Sequence, residues 1–240
     1  MDLREAFEPD GVVSVVGAGG KKTTIYKLGS VLDRAIVTAT VRIPLFDDHV
    51  TELTVTEDPI EAVRNADRWP LGLAPARDAD RERYLGYDTE TVDALAETTD
   101  VPILIKADGA RTRWLKAPDD EEPQIPDASD LVTPIASAKA VGKPLDSEFV
   151  HRPERVEALT GRSVGEEIRV NDVVTVLSNE YGGLKEIPEG ARVVPLINMV
   201  DDAPLERTAR DIAEGLSEHP RIEHVVLAQM NRGRVIDVIK

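Results

Sequence analysis

Short apolar runs alternate along the chain with stretches in which apolar residues recur every three or four positions. The runs are rich in Val and Ile, which is typical of buried strands, whereas the recurring pattern is typical of helices with one buried face. After the first run, for example, Ile25, Leu28 and Leu32 follow at helical spacing. The predicted strands cover residues 12–16, 35–39, 101–105, 131–135, 193–197, 225–229 and 235–239. The predicted helices cover residues 58–66, 90–98, 152–160, 171–181 and 204–217, in addition to the one that contains Ile25.

This alternation predicts an α/β fold. Strands that are joined by helices form right-handed βαβ units, so we expect a mainly parallel sheet in a three-layer arrangement like that of P-loop NTPases. A chain of 240 residues fits one such domain, and we expect a single α/β domain over residues 1–240. The section 69–87 is rich in Pro, Gly and Arg, and it predicts an irregular insertion at the surface.

Composition narrows the class of protein. The chain has no cysteine, which excludes disulfides, thiolate metal sites and thiol catalysis. Its formal net charge of -16 disfavours non-specific binding to nucleic acids and to anionic membranes. Residues 1–10 lack the apolar core of a signal peptide and no later run is long enough to span a membrane, so we expect a cytoplasmic protein. Nine lysines, twenty arginines and 45 acidic residues fit either a halophilic surface or a merely acidic one.

A glycine-rich turn joins the first predicted strand to the first long helix. Consecutive glycines in such a turn let backbone N–H groups point at a phosphate, and two lysines at a helix start oppose the helix dipole unless an anion binds there. The usual Walker pattern needs six positions from its first glycine to its lysine, whereas Gly17 to Lys22 is five and Gly17 to Lys21 is four. The turn is therefore a variant. The predicted nucleotide-binding residues here are Gly17, Ala18, Gly19, Gly20, Lys21, Lys22, Thr23 and Thr24.

Two other interpretations of this turn stay open. The glycines also suit a tight strand-to-helix turn that serves packing alone. A dinucleotide-binding fold is the second alternative, although its third glycine is expected at the position of Lys22.

A basic segment follows the strand predicted at 101–105. Asp108 comes at the end of that strand, where the aspartate of P-loop NTPases holds Mg²⁺, and Thr23 or Thr24 offers the matching hydroxyl. The predicted metal ligands are Thr23 and Asp108. From Lys106 to Lys116 the chain also carries Arg111 and Arg113 against this single acid. The reversal of charge indicates a pocket for phosphate or an acidic ligand, with a solvated basic loop as the alternative. If a nucleotide is hydrolysed, the predicted catalytic residues are Lys21, Lys22 and Asp108.

A third motif follows the strand predicted at 193–197. Asn198, Met199 and Asp201 are spaced like the Asn-Lys-x-Asp motif with which GTPases read guanine, with Met in place of Lys. Asn198 and Asp201 are therefore predicted to contact a nucleotide, although both residue types are also common caps at strand ends. The four histidines lack metal-ligand spacing, and we interpret His151, with Arg152, as an ordinary loop or a substrate contact.

An ordered set of short motifs resembles the YqeC family, whose members are described as accessory proteins of selenium-dependent hydroxylases. The motifs span most of the chain and comprise Gly17-Ala-Gly-Gly-Lys21, Ala107-Asp-Gly-Ala-Arg111, Lys116-Ala-Pro118, Glu122-Pro-Gln-Ile-Pro126, Gly142-Lys-Pro144, His151-Arg-Pro153 and Asn198-Met-Val-Asp201. The resemblance implies an ATP- or GTP-binding protein, with Mg²⁺, that serves the maturation of a molybdenum hydroxylase or its cofactor. It also implies a molybdenum cofactor as a ligand and a hydroxylase apoenzyme as a partner.

The chain departs from the family pattern at three positions. Lys21 becomes the aligned lysine, Lys106 stands where a glutamate is expected, and Met199 replaces the usual lysine. These departures favour nucleotide binding over fast hydrolysis, so at most a slow NTPase is expected. Two alternatives remain, a non-hydrolysing chaperone that carries the cofactor and an NAD(P)-binding oxidoreductase.

Overall fold

The computed structural model describes the backbone of residues 1–240 and every side chain except that of Ala79. The α-helices are α1 (Leu3–Phe7), α2 (Lys21–Val31), α3 (Pro59–Asn65), α4 (Thr89–Ala96), α5 (Pro153–Thr160), α6 (Val170–Ser178) and α7 (Ala203–Ser217). The strands are β1 (Val12–Gly17), β2 (Ile36–Ala39), β3 (Ile43–Pro44), β4 (Glu52–Val55), β5 (Leu71–Ala74), β6 (Arg77–Asp78), β7 (Arg83–Tyr84), β8 (Ile103–Lys106), β9 (Leu115–Lys116), β10 (Ser129–Ser137), β11 (Val150–His151), β12 (Arg192–Val193), β13 (Leu196–Asn198), β14 (Val225–Gln229) and β15 (Arg234–Ile239). Among the helices of the described chain, none is long and apolar enough to cross a membrane.

One large sheet organises the fold. Its strand order is β15-β14-β13-β10-β1-β8-β2-β5-β4, with β12 beside β10. The pairs in this sheet are parallel, with the exception of the antiparallel pair of β14 and β15 at one edge. The mainly parallel sheet predicted from the alternating pattern is therefore confirmed.

Helices cover both faces of this sheet. Successive side chains of a strand point to opposite faces, so Val13 packs with Ile25 of α2 on one side, and Val12 packs with Val92 of α4 on the other. Helices α6 and α7 cover the rest of the second face, where Ile212 belongs to the same buried cluster as residues of β14. The three layers of an α/β fold follow, as the sequence predicted.

The structure differs from the prediction within the section 69–87. Only part of that section leaves the main sheet, because Leu71–Ala74 forms β5, a buried parallel strand between β2 and β4. Gly72 permits this close packing, since a Cβ there would lie 2.6 Å from Leu53 Cδ1. The remainder contributes β6 and β7, which pair with β3 in a small antiparallel sheet. A four-residue strand with a central glycine gives too short an apolar pattern to be recognised.

The order in which strands are added to the sheet changes sides at β1, and this switch point positions the site. Strands β8, β2, β5 and β4 lie on one side of β1, and β10, β13, β14 and β15 lie on the other. The register pairs Val15 with Lys106 and Gly17 with Ile135, so the carboxyl ends of these strands lie side by side. Ligands of open α/β sheets bind outside the carboxyl ends at such a switch point.

Candidate functional site

The turn after β1 depends on its glycines. Gly17, Gly19 and Gly20 have φ of +86°, +99° and +127°, in the region that favours glycine. A Cβ at Gly17 would lie 2.4 Å from the carbonyl oxygen of Ile135, and one at Gly20 would lie 2.3 Å from Nδ2 of Asn198. The turn is thus pressed against the ends of the neighbouring strands, and α2 begins directly after it at Lys21.

Asn198 contacts this turn from the end of β13, which is separated from β1 by β10. Its side chain is buried, its Nδ2 donates to the carbonyl of Gly19 at 2.7 Å, and its Oδ1 accepts from the backbone N–H of Met230 at 3.0 Å. Asp201 accepts from Nε2 of Gln229 at 2.8 Å and pairs with Lys139 at 2.5 Å. Both side chains predicted to read a base therefore make contacts within the protein.

A buried carboxylate lies beneath the turn. Asp108 is 2% exposed, and its Oδ2 accepts from the N–H of Gly17 at 2.9 Å and from Nζ of Lys116 at 2.7 Å. Nζ of Lys21 lies 2.8 Å from Oδ1, an ion pair without the alignment of a hydrogen bond, and also donates to the carbonyl of Gly17. Burial alone would raise the pKa of Asp108, but the charges of Lys21 and Lys116 hold that pKa below its ordinary value.

Lys116 continues this cluster away from the turn. Its side chain is fully buried, and Nζ contacts Oε2 of Glu122 at 2.6 Å and donates to the carbonyl of Gly109 at 2.6 Å. Glu122 pairs in turn with Nη1 of Arg152 at 2.7 Å, and Arg152 also pairs with Asp119. Burial opposes ionisation of Glu122, yet its pKa is lowered, chiefly by Lys116. Lys116 and Arg152, which we predicted as phosphate or substrate contacts, lie in an ion-pair network.

A basic cavity opens beside the turn at the carboxyl ends of the strands. Its volume is about 340 Å³, and its lining includes seven basic residues and, among the residues that the structure describes, no acidic one. The lining residues are Gly19, Gly20, Lys21, Lys22, Thr23, Arg42, Pro44, Arg83, Lys106, Gly109, Ala110, Arg111, Thr112, Arg113 and Met199. In a chain of net charge -16, the basic residues of this lining produce a local positive potential.

Three of the seven basic residues were outside the predicted site. Arg42 and Arg83 lie at the small sheet of β3, β7 and β6 and belong to no motif, while Lys106 ends β8. Arg42 lies 3.6 Å from Asp78, which is not among the lining residues. Arginines on or directly beside two-residue strands give no sequence signal of a site, whereas the predicted basic segment did begin at Lys106.

Arg111 and Thr112 form a strained turn at the rim. Their φ values are +46° and +63°, which residues other than glycine rarely adopt. Such backbone outliers are concentrated in functional loops. Arg113 fixes the turn, since its Nε donates to the carbonyl of Ser147 and its Nη1 donates to the carbonyl of Arg111. The turn thus holds the two predicted phosphate contacts, Arg111 and Arg113, at the cavity.

The same two arginines also line a shallower depression of about 300 Å³. His151 and Arg152 lie there, so the two predicted substrate residues line this depression and not the basic cavity. Burial, followed by repulsion from Arg152, lowers the pKa of His151 to about 4. This imidazole is therefore neutral at neutral pH.

A depression of about 570 Å³ lies at the opposite ends of the strands. Its lining comes from Arg34, which precedes β2, and from the segment 96–102, which precedes β8. Ligands of open α/β sheets bind at the carboxyl ends of strands, so the smaller basic cavity is the candidate site.

The residues predicted to hold Mg²⁺ do not meet in one place. Thr23 lines the cavity, but Asp108 is not among the lining residues and both of its oxygens face ammonium groups. Thr24 is buried, and its hydroxyl donates to the carbonyl of Gly20 at 3.1 Å. In the described part of the chain, no three His, Asp or Glu side chains are grouped so as to bind a metal ion.

Lys106 is the buried cation of the cavity. It is 7% exposed, and its Nζ donates to the carbonyl of Arg42 at 3.0 Å. Burial, together with repulsion from Lys21 and Lys116 that Asp108 only partly offsets, lowers its pKa to about 7. At neutral pH, Lys106 is therefore protonated in only a fraction of the free protein molecules. An anion bound in the cavity would raise the pKa of Lys106 and increase that fraction.

This lowered pKa predicts how stability depends on pH. Between pH 7 and pH 9 the unfolded chain keeps the proton of Lys106 while the folded chain releases it, so the contribution of Lys106 to the free energy of unfolding rises by about 2 kcal/mol. In Lys106→Met this contribution is absent. We expect the stability of the variant relative to the wild type to fall by that amount between the two pH values in urea unfolding. An equal difference at both pH values would show that Lys106 keeps an ordinary pKa.

Comparison with known proteins identifies the family. A sequence model described as YqeC protein matches residues 13–154, which include the glycine turn and the basic segment. The chain belongs to the YqeC family. The Uncharacterized protein YqeC of Escherichia coli (strain K12) is 28% identical to it over 225 residues, which is 91% of this chain and 87% of that protein. No solved structure matches the chain. Every lining residue of the basic cavity except Met199 thus lies in the region that the YqeC model matches.

Proposed function

We propose that the protein binds ATP or GTP through the phosphates and acts as an accessory protein in the maturation of a molybdenum-dependent hydroxylase or its cofactor. The cavity supports the first part, because seven basic residues line it beside a glycine turn that leads into a helix. Hydrogen bonds between cationic side chains and phosphate are stronger than those between neutral groups. The accessory role is supported by the membership in the YqeC family and by the motifs that resemble it.

The turn offers two kinds of phosphate ligand. Backbone N–H groups at the start of α2 carry the positive end of the helix dipole, and Lys21 and Lys22 are the first two residues of that helix. The short turn leaves both lysines in the lining of the cavity, so a phosphate chain could contact both. Lys22 is half-buried, and burial followed by repulsion from Arg83 lowers its pKa. An anion would relieve that repulsion.

A second candidate function is a carrier that binds a phosphorylated molybdenum cofactor without hydrolysing a nucleotide. One observation favours it: among the described lining residues there is no carboxylate that could position a water molecule for attack on a phosphate. A carrier is expected to bind and release its ligand without changing it chemically.

The NAD(P)-binding alternative has less support. Lys22 stands at the position where the dinucleotide fingerprint has its third glycine, and that glycine allows close packing of helix against strand. The site residues found beside the turn are cationic, which suits a phosphate chain with several charges.

Isothermal titration calorimetry tests the proposal. We expect ATP, GTP or both to bind with one site per chain, and NAD and NADP to give no heat. Binding of NAD alone, or of none of the four, would refute nucleotide-dependent function. A following assay of phosphate release distinguishes the two candidates, since a hydrolase releases phosphate on incubation with the bound nucleotide and a carrier does not.

A further inference from the structure

We propose that the cavity takes its oligophosphate ligand free of any divalent cation, and that the ammonium group of Lys106 supplies the positive charge that a bound metal would otherwise supply. The inference rests on the proposed function, because it names the ionic form of the ligand of that same site. It also replaces the Mg²⁺ complex that the sequence predicted.

The charges of the lining support a metal-free ligand. Of the seven basic residues, Lys21 pairs with Asp108 and Arg42 lies near Asp78. The other five, Lys22, Arg83, Lys106, Arg111 and Arg113, form no ion pair in the described part of the chain. These five basic residues would all repel a divalent cation. A free oligophosphate carries more negative charge than its metal complex, so they attract the free form more strongly.

The donor atoms of the lining point the same way. Mg²⁺ takes oxygen ligands in octahedral geometry and is usually held in proteins by at least one carboxylate. Among the described lining residues, the side-chain oxygens are the hydroxyls of Thr23 and Thr112. Asp108 is the nearby carboxylate, and a metal that reached it would have to displace the ammonium of Lys21 or Lys116 from 2.8 Å or 2.7 Å. The residues present therefore do not fit the ion.

Lys106 lies at the end of the strand beside the glycine turn and lines the cavity. It is the last residue of β8, the strand directly beside β1, and its register partner Val15 lies two residues before Gly17. Its side chain is buried up to the cavity, and the carbonyl of Arg42 holds Nζ at 3.0 Å. The ammonium group of Lys106, fixed beside the glycine turn, provides three hydrogen-bond donors and one positive charge.

A comparison of buffers tests this on the unaltered protein. Inorganic tripolyphosphate and ATP are each titrated calorimetrically once in EDTA and once in excess MgCl₂, at constant ionic strength. We expect both to bind at least as tightly in EDTA as in MgCl₂. Binding that MgCl₂ tightens tenfold or more would overturn the inference and leave the proposed function intact, whereas no binding in either buffer would overturn both.

Two variants then test the role of Lys106. Lys106→Met is expected to weaken tripolyphosphate binding in EDTA by roughly ten- to a hundredfold, the range of one hydrogen bond to a charged group. Lys106→Glu is expected to abolish binding in EDTA and to regain part of it in MgCl₂, because a carboxylate then faces the turn. The matched control is Lys27→Met, in the helix that follows the turn but outside the cavity lining, and it is expected to bind like the wild type. Wild-type affinity of Lys106→Met in EDTA would remove Lys106 from the site.

Discussion

Replacing Asp108 with Asn is expected to lower the free energy of unfolding by about 3–5 kcal/mol, the range found when one partner of a buried ion pair is removed. Asn keeps the shape of the side chain and removes its charge. Lys21, which is 6% exposed, then loses the carboxylate that lies 2.8 Å from its Nζ, and Lys116 retains Glu122. Two buried ammonium groups are left facing one another across a neutral amide.

Urea unfolding measures this loss, and Asp237→Asn is the matched control. Asp237 pairs with Arg210 at a site where both side chains are 37–38% exposed, so the control is expected to lose less than about 1 kcal/mol. Tripolyphosphate is expected to stabilise Asp108→Asn more than the wild type, because a bound anion supplies the missing charge. Equal losses in the two variants would mean that the buried cluster contributes no more than a surface pair.

Replacing Gly17 with Ala is expected to disrupt the glycine turn. The positive φ of +86° makes the backbone unfavourable for alanine by about 1–2 kcal/mol. In addition, the new Cβ would lie 2.4 Å from the carbonyl oxygen of Ile135, an atom of the adjacent strand that cannot move alone. The turn must shift, and with it the N–H of Gly17 that donates to Asp108. We therefore expect a loss of stability beyond the backbone contribution and an ATP affinity reduced at least tenfold.

Calorimetry and urea unfolding together check this expectation, with Gly190→Ala as the control. A Cβ at Gly190 meets nothing within 4 Å, so this substitution is expected to change stability by less than about 0.5 kcal/mol and to leave binding unchanged. If Gly17→Ala bound ATP like the control, the geometry of the turn would not be needed for the ligand.

The sequence predicted the scaffold of the site because its elements carry strong patterns. β1, β8, β10 and the helices beside them have apolar runs or periodic faces, and the glycines of the turn mark the change from strand to helix. Their spatial proximity follows from the rule that parallel strands end at one edge of the sheet. The predicted strand at 193–197 is divided into β12 and β13 around Pro195, which has no N–H for the sheet.

The lining and the partners of the charges could not be predicted in the same way. Arg42 and Arg83 reach the cavity from the small sheet of β3, β7 and β6, which is too short to show a period. A local count of basic residues cannot reveal that Lys116 is fully buried between Asp108 and Glu122. These pairings depend on chain segments that only the tertiary fold brings together.

If the glycine turn and its lysines bind the phosphates of a nucleotide, replacement of Lys22 must weaken that binding. Lys22 lines the cavity and takes no part in the buried cluster of Asp108, so Lys22→Met is expected to fold normally. The measurement is a calorimetric titration of ATP in EDTA into the wild type, Lys22→Met and Lys27→Met. We expect Lys22→Met to bind at least tenfold more weakly than the wild type, and Lys27→Met to bind with unchanged affinity. Equal affinity of Lys22→Met and the wild type, or equal weakening of the two variants, would show that Lys22 does not bind the phosphates at the glycine turn.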